Sequence, residues 1–116
     1  MHERSVAKNL LRIVLDKSNI TDKREKVKLI RIIIGEFTMI HKELLISAFY
    51  QLSKSTPAEK AKIEITNSPL KGKCQDCHKE FYLDKEEFKC PFCESQSINI
   101  ISGDELFIQD IELEIK

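Results

Sequence analysis

The sequence has no surplus of either charge: 19 Lys and Arg stand against 19 Asp and Glu, for a formal net charge of zero at pH 7. A nucleic-acid binder must neutralise phosphate on at least one face, so this balance argues against that class. Membrane-length apolar runs are also missing; the longest, LIRIII, carries an arginine inside it, and membrane insertion is not expected. No apolar export segment or cleavage site follows the first residues, which predicts a cytoplasmic protein. Internal repeats and low-complexity stretches are lacking, as is a glycine-rich phosphate loop. No nucleophile sits beside a base in a motif that supports catalysis, so the chain reads as a non-enzyme. At 116 residues and 13.5 kDa there is room for one domain, or for two small lobes that each need help to fold.

What is present falls into two segments. From His2 to Ser18 the apolar residues Val6, Leu10, Ile13 and Val14, with Ala7, Leu11 and Leu15, recur at helical spacing. VKLIRIIIGEF alternates at first and then becomes a β-branched run, as a central strand covered on both faces would; Gly35 closes it. A second helix is predicted from Lys42 to Ser53, with Leu44, Leu45, Ala48, Phe49 and Leu52 on its inner side. KIEIT follows as a short strand with Ile63 and Ile65 inward. Pro69 and Gly72 then mark a change of composition, and LFIQDIELEIK alternates again as a returning strand. The predicted fold is α+β. Two helices and a three-stranded sheet (1–68 and 104–116) form one lobe, and a four-cysteine ribbon module (69–103) is inserted in it.

That module holds all four cysteines. CQDC at Cys74 and Cys77 and CPFC at Cys90 and Cys93 are separated by twelve residues. Without an export signal, metal ligation is favoured over disulfides. Each CxxC turn aims two thiolates at one point, and two such turns complete a tetrahedral all-sulfur site suited to zinc or iron. A closed zinc site with no chemistry is the leading reading. A rubredoxin-like iron centre and a redox dithiol pair are the alternatives, the former weakened because His78 and Glu94, not glycines, follow the second cysteines. Phe81, Tyr82, Phe88 and Phe92 are expected to pack around the site. His78 is read as a solvated residue or as an accessory ligand.

The front of the chain, MHE, offers a second metal site. The Met1 amine, the deprotonated His2 amide nitrogen and the His2 Nδ1 close a five-membered and a six-membered ring around one cation. Three nitrogens in a plane suit nickel(II) or copper(II). Glu3, a water or a group from elsewhere would supply the fourth ligand, and such an incomplete site can release its ion. Reference pKa values of about 7.7–8.0 for the amine and about 6.5 for the imidazole mean that protons compete with metal near neutrality. His41 is read as a solvated residue at the start of the second helix, or as an extra ligand if the two helices begin side by side.

MHE before an amphipathic helix, IIIGEFTMIHKELLISAF, CxxC…CPxC and ISGDELFIQDIELE, in that order, resemble the hydrogenase nickel-incorporation proteins of the HypA/HybF type over essentially the whole chain. The resemblance implies a nickel metallochaperone with a structural Zn(II), a HypB-type GTPase partner and the [NiFe]-hydrogenase large subunit as client. In some members urease and its accessory proteins are served as well. It places nickel ligation on His2, supported by Met1 and Glu3, and zinc on Cys74, Cys77, Cys90 and Cys93. His41 stands where members often carry an acidic residue, and the zinc module is of the short form, with His78 the sole counterpart of a loop-borne ligand. A homodimer stays open. So does the rival reading, a zinc-ribbon module that binds nucleic acid or protein without nickel.

Overall fold

The first helix, α1 (Glu3–Ser18), carries Glu3 in its first turn and Lys17 in its last, each at the end of the helix dipole that favours its charge. In the computed structural model, which describes residues 3–21, 24–84 and 86–115, Ala7, Leu10, Leu11 and Val14 form the buried stripe of this helix. Ile13, expected in that stripe, is 41% exposed. Asn19, in the left-handed conformation at φ 49°, ends the helix as a short polar residue can. The element order continues with β1 (Glu25–Gly35), a single 3-10 turn (Glu36–Thr38), α2 (Lys42–Leu52), β2 (Lys62–Ser68), β3 (Lys71–Cys74), β4 (Glu80–Tyr82), β5 (Ile98–Ser102) and β6 (Leu106–Ile115). No helix among the described residues is long and apolar enough to cross a membrane.

The strands make two three-stranded sheets, ordered β2-β1-β6 and β4-β3-β5, and the chain divides into two compact units. The first comprises residues 1–32, 40–66 and 107–116, the second residues 33–39 and 67–106.

In the first unit α2 buries Leu45 and Phe49, while Leu44 is 54% exposed and does not face inward as its spacing suggested. On β1, Val27 and Leu29 are buried, and then Ile30, Ile32 and Ile34. Burial changes phase between Leu29 and Ile30, so this central strand buries residues on both faces, Ile30, Ile32 and Ile34 on one and Val27 and Leu29 on the other, as the β-branched run suggested. Arg31 lies on the other face. Its Nε is 3.4 Å from Glu64 on β2, its Nη1 3.1 Å from Asp110 and its Nη2 2.7 Å from Glu112 on β6. One guanidinium thus bridges all three strands, in the planar fork geometry that arginine alone provides.

In the second unit β3 pairs antiparallel with both β4 and β5, Gly72 facing Phe81 on one side and Ile100 on the other. The core is Leu70, Cys74, Phe81, Leu83 and Cys90, with Cys77, Ile98 and Ile100 against it. Of the four aromatics expected around the metal site, Phe81 is buried, but Tyr82 is 71% exposed. Strand alternation explains this, since Phe81 and Leu83 point in and Tyr82 must point out. Phe88 packs instead on Phe37, at 6.4 Å between ring centroids.

Two main-chain segments meet at Gly35 and Gly103 within this unit. The Gly35 N–H donates to the Glu105 carbonyl at 2.7 Å and the Phe37 N–H to the Gly103 carbonyl at 2.7 Å. A Cβ on Gly35 would overlap the Gly103 carbonyl and stand 2.7 Å from the Asp104 nitrogen. Backbone cannot yield as a side chain can. Gly35→Ala is therefore expected to cost about 3 kcal/mol, from overpacking and the loss of both hydrogen bonds, checked by denaturant unfolding.

The Glu105 carboxylate seals the same crossing. Its acidity is raised by its own N–H, and by that of Gly103, which donates to it at 2.7 Å. With a folded pKa below the unfolded one, the group adds stability above the ordinary carboxylate range and loses it as pH falls through the depressed value. Glu105→Gln should accordingly flatten the acid limb of the stability curve and leave the alkaline limb alone. Thermal melts from pH 7 to pH 3 measure this.

Candidate metal centres

The four cysteines sit on two turns with the same backbone plan. In the first, the Cys74 N–H donates to the Lys79 carbonyl at 3.0 Å and the His78 N–H to the Cys74 carbonyl at 3.0 Å. In the second, the Cys90 N–H donates to Ser95 and the Glu94 N–H to Cys90, each at 2.9 Å. The residue after each second cysteine, His78 or Glu94, takes the left-handed conformation at φ 64°. Glycine is the usual occupant of that region, so each turn closes at some conformational cost.

These turns aim their sulfurs at a common centre. Cys74 and Cys93 Sγ are 3.5 Å apart, Cys77 and Cys90 Sγ 3.6 Å, and all four lie within 4.8 Å of one another. Four sulfurs at 2.3 Å from a tetrahedral zinc would be separated by about 3.8 Å, so the donor set fits that ion. Its charge is also prepared. N–H groups of Cys77 and Asp76 donate to Cys74 Sγ, both at 3.4 Å, and hold that thiol down at about 6. Desolvation opposes ionisation of Cys90, and the N–H groups of Cys93 and Phe92 outweigh it, so this thiol too is lowered. The second cysteines behave oppositely. The Ser95 N–H favours the Cys93 thiolate, but the sulfur of Cys74 and burial together push it up to about 12. Cys77 is likewise raised: the Lys79 N–H is outweighed by desolvation and by the sulfurs of Cys90 and Cys74. Four thiolates this close require a cation between them. Cys74 and Cys90 are fully buried and Cys93 is exposed.

Around the sulfurs, Phe92 meets Phe81 edge-on at 6.3 Å and carries the Lys79 ammonium 4.5 Å above its ring. The Ser95 hydroxyl donates to Asp76, and Gln75 Nε2 to Asn99 Oδ1 at 2.7 Å, tying the turns to each other and to β5. Among the described residues, these four cysteines are the group of three or more His, Cys, Asp and Glu side chains placed to share one ion. His78 is not part of it.

At the other candidate site, Met1 and His2 lie outside the described residues. Glu3 opens α1, and its Oε2 accepts the main-chain N–H of His41 at 3.0 Å. The two helices thus begin side by side, a juxtaposition of residues 38 positions apart that no local pattern announces. That N–H is the first cause lowering the Glu3 pKa. His41 is the N-cap of α2, its Nδ1 accepting from the Leu44 N–H at 3.3 Å. A shallow groove of about 360 Å³ runs from Glu3 and Arg4 along Leu44, Ser47, Ala48 and Gln51. The exposed side of α2 beside the start of α1 was not foreseen from the sequence, although Leu44, as the third residue of its helix, could have been read as part of the cap.

Comparison with known proteins places this arrangement. Residues 1–113 match the family described as hydrogenase/urease nickel incorporation, metallochaperone, hypA. A hydrogenase maturation factor HypA of Aquifex aeolicus is 34% identical over 115 residues, 99% of either chain. One from Desulfatibacillum aliphaticivorans is 31% identical over 113 residues, 97% of this chain and 87% of that one. Among solved structures, the nickel metallochaperone HypA from Helicobacter pylori is similar over the full length of both chains, with a TM-score of 0.69 and 26% identity.

Proposed function

Because the chain belongs to the HypA family of hydrogenase and urease nickel-incorporation metallochaperones, we propose that it takes up Ni(II) at its N-terminus and delivers it to the large subunit of a [NiFe]-hydrogenase. Proteins of this family are maturation factors, carriers and not catalysts. The observation that supports the N-terminal site most directly is the sequence MHE, leading into a helix whose Glu3 is fixed at the start of α2.

The chemistry follows from the donors. The Met1 amine, the His2 amide and the His2 Nδ1 would hold nickel in a plane. This leaves the shell incomplete, so a client site with a fuller ligand set can take the ion by exchange. Cys74, Cys77, Cys90 and Cys93 would hold zinc. Bound there, the zinc supplies no reactivity, since four thiolates leave no position for substrate; it fixes the two turns. A cytoplasmic carrier of this kind would work with a HypB-type GTPase, and urease is a second client under this reading.

Extending the chain by five residues, Gly-Ser-Gly-Ser-Gly, before Met1 tests the chelate; a single added residue would not, because a histidine in third position behind a free amine forms a planar four-nitrogen nickel site of its own. The extension converts the Met1 amine into an amide and leaves the fold alone. Native mass spectrometry at equimolar nickel should then show zinc retained and the nickel adduct lost. An extended protein that holds nickel as well as the parent contradicts the reading.

A further inference from the structure

In a capping box, the N-cap side chain takes the N–H three residues on, and the residue at that third position returns an acceptor oxygen to the N-cap's own N–H. Helix α2 keeps half of this device. His41 Nδ1 accepts from Leu44 N–H at 3.3 Å, but leucine has no oxygen to return. The His41 N–H goes instead to Glu3 Oε2, 3.0 Å away and 38 residues distant in the chain. We propose that Glu3 and His41 form a capping box divided between two helices, and that both residues serve nickel uptake through this clasp and not as ligands. The clasp anchors Glu3, the neighbour of His2, at the start of α2. It deepens the N-terminal nickel reading above and rests on it.

The chemistry of His41 excludes a ligand role while the cap is made, and that of Glu3 lets the two roles be told apart. A neutral imidazole has one acceptor nitrogen. With Nδ1 accepting from Leu44, the proton sits on Nε2, and no lone pair is left for a metal. Turning His41 into a ligand through Nε2 would move that proton to Nδ1 and break the cap. At Glu3 one carboxylate oxygen is committed to the His41 N–H. A clasp needs an acceptor oxygen and not a charge, so glutamine can perform it, whereas a nickel-binding carboxylate has no equivalent in an amide. Leu44 is 54% exposed, so a glutamate placed there would complete the box inside α2 and release it from α1.

Four zinc-loaded proteins decide the matter: the parent, Glu3→Gln, Glu3→Ala, and Glu3→Ala combined with Leu44→Glu. Nickel is titrated calorimetrically and melting followed by circular dichroism. Glu3→Gln should keep parental nickel affinity within about threefold and its melting point. Glu3→Ala should bind about tenfold more weakly and melt about 5 °C lower, the scale of a lost cap in a small domain. The double variant should recover the melting point without the nickel affinity, because its α2 is capped but its N-terminal segment is not anchored. An unshifted melting point in Glu3→Ala overturns the clasp. Glu3→Gln as stable as the parent yet binding as weakly as Glu3→Ala makes Glu3 a ligand and overturns the positioning role. Full recovery of nickel affinity in the double variant also overturns it. A parent that binds no nickel sinks the N-terminal reading instead, and with it the positioning role, while the Glu3→Ala melt still reports the clasp.

Discussion

His2→Ala is expected to abolish specific nickel binding and leave zinc content and helicity unchanged. The substitution removes Nδ1, and with it the six-membered chelate ring, leaving an amine and a neighbouring amide that has little reason to deprotonate without the imidazole. A loss of at least about 100-fold in affinity, roughly 2.7 kcal/mol, is the expected scale. Glu3 holds the start of α1 to the N–H of His41, and the buried stripe begins only at Ala7. Calorimetric titration with nickel, paired with a zinc assay on the same sample, measures the result. Equal affinity in the variant would refute the N-terminal chelate.

Withdrawing zinc with a chelator, or replacing Cys74 by serine, should unfold the second unit and spare the first. Of the five buried residues in the second unit's core, two are the metal ligands Cys74 and Cys90. Leu70, Phe81 and Leu83 are too few to order a segment of this size unaided. Structural zinc supplies about 10–16 kcal/mol of apparent binding free energy in modules of this kind. The first unit has its own core, with Val14, Ile30, Ile32, Leu45 and Phe49 at most 1% exposed. Amide exchange should show protection lost across β3, β4 and β5 and retained in α1, α2 and β1. Protection kept in both units would mean that the metal is dispensable to the fold.

The cysteine site was legible because its information is local: two residues between partners fix a turn, and two such turns are enough. The helices were legible for the same reason, their apolar residues recurring at a fixed spacing. Errors arose where spacing is preserved but context changes. Leu44 fits the inner stripe of α2, yet it stands in the first turn, where the neighbouring surface is the groove beside Glu3 and Arg4. Tyr82 was assigned to the metal module's core on aromatic character, although the alternation of Phe81, Tyr82 and Leu83 already placed it outward. The Glu3–His41 hydrogen bond and the Gly35–Gly103 contact were not legible at all. Each joins main-chain atoms to groups 38 or more positions distant, and only the assembled fold brings such atoms together.

Nickel X-ray absorption on protein loaded with one equivalent tests the central claim most directly, since it reports the atoms bound to the cargo. The account predicts a shell of nitrogen and oxygen that includes an imidazole, and that imidazole signature should vanish in His2→Ala. Sulfur in the nickel shell, with the His2 imidazole unbound, would contradict it.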